Sequence, residues 1–139
     1  MSVECFLDTN VLLYAATANA AERVNRDIAY DLIAADNFGI STQVLQEFYD
    51  TATRKTGVVM RSDKALEWLA EFEHRPCAVV DVNVFRRAVQ ISNHFKIGYW
   101  DAAILASAEA LGATTLYSED LSHGQAYGPV TVINPFRTL

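Results

Sequence analysis

"SVECFLDTNVLLYA", residues 2–15, runs from a β-branched and apolar stretch straight into Asp8, Thr9 and Asn10, then returns to apolar side chains. Val3 to Leu7 reads as a short buried strand, and Val11 to Ala16 continues apolar with spacing compatible with a helix. A carboxylate therefore stands at the junction of strand and helix, against the core. Two readings of Asp8 are open here. It caps the helix that begins near Val11, the commoner use of Asp-Thr-Asn after a strand. Alternatively, it stands at the carboxyl end of a parallel strand, where open α/β sheets bind their ligands.

The alternation continues outward from that stretch. "AERVNRDIAYDLIAADN" places Val24, Ile28, Leu32 and Ala35 at near-helical intervals and closes on Asn37 and Gly39. "FGIST" is a second strand, and Ser41 or Thr42 caps a helix through "QVLQEFYDTATRKTG", which stops at Gly57 after a basic last turn. Ser62 precedes a helix striped with Leu66, Leu69, Ala70 and Phe72 that breaks at Pro76. "CAVVDV" is a third strand, Asn83 is placed to cap "VFRRAVQISNHFK", and "YWDAAILASAEALG" is a further helix closed by Gly112. "ATTLYS" and "PVTVI" supply a fourth and a fifth strand. Strands alternating with helices imply a three-layer α/β/α fold around a central parallel sheet of about five strands.

Composition bounds the function. The chain has 139 residues, half of them hydrophobic and a fifth charged, without repeats, low-complexity tracts or Pro/Gly-rich linkers. A single domain over residues 1–139 is expected. No apolar run approaches the roughly 20 residues needed to cross a bilayer, so no membrane partner is expected. "MSVECFLDTN" lacks the basic start of a secretory signal, which points to the cytoplasm. Cys5 and Cys77 each sit in an apolar strand-like run and read as reduced, buried thiols rather than a disulfide or zinc ligands. The net charge of −6 argues at first sight against a nucleic-acid partner.

The informative residues are acids. Asp120 directly follows the strand "TTLYS", with Glu119 beside it, so it shares the strand-end placement of Asp8. Glu47 is flanked by Leu45 and Phe48 in a helix that starts at a strand end, and Asp101 opens the helix after "IGYW". Each alone has a plain structural role, as a cap, a solvated helix position or a loop acid. Together they are more informative, because carboxylates converging in a cleft repel one another unless a cation balances them. An all-oxygen set without His or Cys favours the hard ions Mg²⁺ or Mn²⁺.

"FLDTNVLLY", "STQVLQEFY", "YWDAAILASAEALGATTLYSEDLSHG" and "VINPF" follow one another in an order that resembles the PIN-domain family, and within it the VapC-like toxin ribonucleases of toxin–antitoxin pairs. The resemblance covers essentially the whole chain. It implies a metal site at Asp8, Glu47, Asp101 and Asp120, with Asn10 supporting the first aspartate and Thr9 and Ser118 as hydrogen-bonding supports. Glu119 is a further contributor beside the last ligand. It also implies Mg²⁺- or Mn²⁺-dependent endoribonuclease activity on RNA, a homodimer, and inhibition by a cognate antitoxin protein. Gly98 stands where relatives commonly carry Ser. Four of the acids then belong to the site, which leaves the rest of the protein only mildly acidic.

Other residues carry weaker expectations. Arg54, Lys55, Arg86, Arg87 and Lys96 are candidates for guiding a phosphate backbone, although basic residues on helices usually just face water. Tyr99 and Trp100 flank the site and are candidates for stacking on bases, with burial in the core the favoured reading of Trp100. His123 either touches substrate or turns the chain. Rival functions are a Mg²⁺-dependent phosphatase or receiver-like phosphoacceptor, and a non-catalytic acidic binding module. The receiver is disfavoured by the lack of a Lys after the later strand near "TTLYS". An aspartyl-nucleophile phosphatase wants Asp at position 10, which is Asn.

Overall fold

A computed structural model describes residues 3–54 and 60–137. Lys55 and Gly57 lie outside the described residues, but the helix expected to stop at Gly57 after a basic last turn already ends at Ala52, and its last turn carries no basic residue. The elements follow in the order β1 (Cys5–Leu7), α1 (Thr9–Ala16), α2 (Arg23–Ala34), β2 (Phe38–Ser41), α3 (Thr42–Ala52), α4 (Ser62–Phe72), β3 (Cys77–Ala78), α5 (Val82–Phe95), α6 (Tyr99–Ala110), β4 (Thr115–Tyr117), β5 (Ala126–Tyr127) and β6 (Val130–Ile133).

One sheet runs in the order β3-β2-β1-β4-β6-β5. The pairings through β3, β2, β1, β4 and β6 are parallel, as the alternation implies. The short β5 is the addition. It pairs antiparallel with β6 through Ala126 opposite Thr131 and Tyr127 opposite Val130. "QAYGPVT" turns at Gly128, whose φ of 64° lies in the left-handed region that favours glycine. Two residues of strand flanking such a turn lie below what hydrophobic periodicity resolves.

Chain direction sets the layers. From β1 to β2 and from β2 to β3 the connections step one way across the sheet, whereas β3 to β4 steps back over β2 and β1. Right-handed crossovers then put α1 to α4 on one face and α5 with α6 on the other. Packing agrees: α1 contacts α2 and α3, α3 contacts α4, and α5 contacts α6, which lies across β2, β3, β4 and β6. The central strand β1 is buried along its whole length, and every residue from Ala102 to Ala108 of α6 is buried. That continuous burial is why α6 lacks a polar stripe.

Capping differs from expectation in two places. Ser62 is the first helical residue of α4 and Arg61 precedes it, without a side-chain cap. At α5 the Val84 N–H donates to Asp81 Oδ1 at 2.9 Å, and Asn83 lies inside the helix. A carboxylate in extended backbone two residues earlier claimed the donor first. At α3 the expected cap forms, with the Val44 N–H donating to Ser41 Oγ at 3.3 Å. Cys5 and Cys77 are free thiols, the first buried and the second half-buried, and burial pushes both above the ordinary thiol range.

The helix that follows β2 is fixed to its neighbour by aromatic packing. Phe48 of α3 is fully buried and meets Phe72 of α4 edge-on, ring centres 5.6 Å apart. Phe48→Ala removes that wedge, and we expect a loss of about 3–5 kcal/mol in urea-unfolding free energy. A loss below about 1 kcal/mol would show that α3 is held by other contacts.

Candidate active site

Two strand-to-helix transitions, the start of α6 and the loop after β4 meet at the carboxyl edge of the sheet. The register pairs Leu7 of β1 with Tyr117 of β4, so the next residues, Asp8 and Ser118, emerge side by side. The Asp8 N–H donates to Tyr117 O at 3.1 Å and carries the pairing one residue further. β2 delivers α3 at the same edge. The chain re-enters the sheet at β4 after α6, so the start of α6 lies at this edge too. Its first turn carries Asp101, the third residue after the capping Gly98. Asp101 is therefore not a cap.

Asp8, Glu47, Asp101 and Asp120 all line one cleft of about 240 Å³, together with Thr9, Asn10, Gln43, Asp50 and Arg54. The expected acids are thus brought together. Glu119 is not: it borders a neighbouring hollow, where Tyr14 Oη donates to its carboxylate at 3.1 Å. Asp50, Gln43 and Leu13 line the cleft without having been expected. Helical phase is the signal that finds them: Gln43 and Asp50 stand four before and three after Glu47 on α3.

Asp8 is both a cap and a cleft acid. It is only 5% exposed. Its Oδ1 accepts the Thr9 N–H at 2.7 Å and its Oδ2 accepts the Ser118 hydroxyl at 2.7 Å. Burial pushes its carboxyl up to about 7, against the lowering effect of those two hydrogen bonds, and the charges of Asp120 and Glu47 add to the rise. Asp101 is also raised, by burial first and then by Asp120 and Glu47.

The supporting residues each hold one carboxylate. Thr9 Oγ1 donates to Glu47 Oε1 at 2.9 Å. Asn10 Nδ2 donates to Asp120 Oδ2 at 3.1 Å, so Asn10 supports the last acid rather than the first. Ser118 Oγ also accepts the Asp120 N–H at 3.1 Å. His123 accepts the Asn134 N–H on Nδ1 at 3.0 Å and fastens its loop to the C-terminal segment. Among the expected basic residues, Arg54 pairs with Asp50 at 2.9 Å and Arg87 with Glu109 at 3.0 Å, while Arg86 and Lys96 are exposed.

The donor set fits a hard divalent cation. It is all oxygen, and two acceptors in the cleft wall, Asn10 Oδ1 and Gln43 Oε1, are buried without a hydrogen-bond donor. Arg54 is the one cation among the cleft's described lining residues, and Asp50 already engages it. Among the described residues no three His, Cys, Asp or Glu side chains close into a ready-made cage. The carboxylates ring the cleft instead, as suits Mg²⁺, which keeps several waters and binds through one or two carboxylates and substrate phosphate. None of the described helices is long and apolar enough to cross a membrane.

A family model for the PIN domain matches residues 5–128. No curated protein matches the sequence. Solved structures do share the fold. A toxin–antitoxin complex from Klebsiella pneumoniae is 19% identical, with a TM-score of 0.71 over 97% of this chain and 100% of that one. FitAcB from Neisseria gonorrhoeae is 19% identical, with a TM-score of 0.66 over 96% and 99% of the two chains. Mycobacterium tuberculosis VapC20, described as a toxin that cleaves the sarcin–ricin loop, is 19% identical, with a TM-score of 0.65 over 84% and 90%.

Burial of Asp8 makes a stability prediction for metal-free protein. A carboxyl that titrates near 7 when folded but at its ordinary 3.8 when unfolded takes up its proton in the native state first. Stability then increases as pH falls from about 8 to about 5, by roughly 2–3 kcal/mol. Asp8→Asn should stabilise the EDTA-treated protein at pH 8 and flatten this dependence. Urea unfolding at the two pH values checks it, and an equally steep dependence in Asp8→Asn would assign the effect to other groups.

Proposed function

The chain belongs to the PIN domain family, and on that footing we propose that it is a metal-dependent endoribonuclease, the toxin of a toxin–antitoxin pair. The observation that carries the reading is the cleft itself, where Asp8, Glu47, Asp101 and Asp120 converge from four parts of the chain. Similarity in fold to a toxin described as cleaving the sarcin–ricin loop and to a toxin–antitoxin complex supports the class of substrate and of partner. A cognate antitoxin, a homodimer, a single domain over the whole chain and a cytoplasmic site of action complete the reading.

The reaction is hydrolysis of an RNA phosphodiester. Water oxygen bonds to phosphorus, the bond to the 3′-oxygen breaks, and a proton passes to that oxygen, so the product carries a 5′-phosphate. Asp8, Asp101 and Asp120 would hold Mg²⁺ or Mn²⁺, and Glu47 would bind the ion or orient the water. When bound, such an ion lowers the pKa of water and offsets the charge that develops on the phosphate.

The chain's own residues do the positioning. Ser118 and the Thr9 N–H occupy both oxygens of Asp8 and keep its carboxylate turned to the cleft. Thr9 Oγ1 fixes one oxygen of Glu47. The other is left to accept a hydrogen bond from water and to orient it. Asn10 holds Asp120 in the same way. Arg54, at the rim, meets a substrate phosphate by exchanging Asp50 for it. The exposed pair it leaves is worth only about 0–1 kcal/mol.

Purified protein, free of antitoxin, should cut total cellular RNA in Mn²⁺, leave 5′-phosphate ends and stop when EDTA is added. Asp8→Asn and Asp101→Asn should lose cleavage by about 100-fold or more while their circular dichroism is unchanged. Cleavage at wild-type rates in both variants would overturn the assignment. Arg54→Glu should raise KM and reduce the slope of log affinity against log salt by about one. An unchanged slope would remove Arg54 from phosphate binding.

A further inference from the structure

Trp100 is 67% exposed, which corrects the expectation that it is core. Tryptophan is mostly buried in folded proteins, so an indole left in solvent directly beside a cleft acid needs a reason. Its backbone is held firmly. Gln43, itself only 5% exposed, donates Nε2 to Trp100 O at 3.2 Å. The ring meets Tyr99 edge-on at 5.0 Å, and Tyr99 in turn meets Phe85 at 5.9 Å. The helix N-terminus, the amide and the aromatic neighbours fix the ring's position while leaving most of it open.

Three hollows share Trp100, and with it Gln43. Trp100 lines the acidic cleft, a second hollow of about 310 Å³ with Gln46, Glu47 and Asp50, and a trough of about 480 Å³ with Gln46, Asp81, Val82 and Phe85. The indole therefore forms the wall between the place where phosphate is cut and an apolar trough beside it. Beyond the acidic cleft, the polar residues that share these hollows with it are Thr42, Gln43, Gln46, Glu47, Asp50 and Asp81, and one oxygen of Asp50 is held by Arg54. Such a rim repels phosphate and accepts hydrogen bonds from the amino groups of bases.

We infer that Trp100 is a stacking platform for the nucleobase next to the scissile phosphate, with Gln46, Asp50 and Asp81 favouring bases that bear an amino group. The inference rests on the nuclease reading and adds a specificity-determining residue to it. Base–aromatic stacking is sequence-tolerant, because every base has a π-face. The acidic rim supplies the preference, adenine, cytosine and guanine over uracil. A second copy of the chain fits this face less well. A twofold interface sets the same patch against itself, which would bring the Glu47, Asp50 and Asp81 carboxylates of two protomers together.

The test uses Trp68→Phe, which leaves Trp100 as the sole tryptophan, combined with Asp8→Asn to prevent cleavage. Single-stranded adenine and uracil RNA decamers are titrated in Mg²⁺ while indole emission is followed. We expect quenching by both, with the adenine decamer binding several-fold more tightly. In the otherwise wild-type enzyme, Trp100→Ala should raise KM for single-stranded RNA about tenfold, chiefly in KM rather than kcat, and Trp100→Phe should recover most of the loss.

Unquenched emission, together with a wild-type KM in Trp100→Ala, overturns the stacking site while RNA cleavage by wild type still supports the nuclease. Wild-type protein that neither binds nor cuts RNA overturns the nuclease reading and the platform with it. Dissociation of a dimer on Trp100→Ala, seen by sedimentation without any RNA-dependent quenching, assigns the face to a second copy and overturns the platform.

Discussion

The hydrogen bond from Ser118 to Asp8, 2.7 Å long and buried, is the interaction on which the cleft depends. It exists because β1 and β4 are neighbours in register, Leu7 opposite Tyr117. A slip of one residue would turn both side chains to the wrong face. The same hydroxyl accepts the Asp120 N–H, so one buried oxygen ties the end of the central strand to the loop that carries the last acid. A buried hydroxyl and a buried carboxylate each cost several kcal/mol if unpaired, roughly. Here they satisfy each other, and burial, with the charges of Asp120 and Glu47 added, still raises the carboxyl of Asp8 above its ordinary range.

The packing around that bond explains why the site is open where it is. α6 is buried without interruption from Ala102 to Ala108, so it cannot roll to adjust its ends. Its start is fixed at the sheet edge, and residues 100 and 101 are carried past the core into the cleft mouth. The most deeply buried helix thus presents an exposed tryptophan. α3 works differently. It is striped, with Val44, Phe48 and Ala52 inside, and the adjacent stripe of Gln43, Glu47 and Asp50 faces the cleft.

Much of this was legible in the sequence, because strand and helix periods differ and the strands are short, apolar and bounded by turn residues. The parallel sheet and the gathering of Asp8, Glu47, Asp101 and Asp120 follow from strand-end placement and family resemblance. The partner of Asn10 was not legible. It depends on how the loop after Ser118 returns over α1, a distance of 110 positions in sequence. Gln43 was hidden for a related reason: a polar residue in a first helical turn reads as solvated until a carbonyl from another helix is seen to claim it. The exposure of Trp100 contradicts a composition-based expectation, since hydrophobicity reports what a side chain prefers and not what its backbone permits.

Charge gives the arrangement its order. The acids Asp8, Glu47, Asp50, Asp101 and Asp120 around one cleft oppose the approach of a polyanion, and among the cleft's described lining residues Arg54 is the one cation that attracts phosphate. That guanidinium is already held by Asp50, in a pair exposed on both sides, and such pairs contribute little to stability. Exchange of Asp50 for phosphate is therefore cheap. On the nuclease reading, the acids beyond it, Asp50 and Asp81 around Trp100, repel the backbone and offer acceptors to the donors of bases. On the nuclease reading, one field then sorts the substrate into its parts: phosphate is admitted only where a cation or Arg54 offsets the carboxylates, and the base is turned away from that point onto the indole. An acidic protein can act on RNA in this way because local compensation, and not overall charge, decides where the backbone comes to rest.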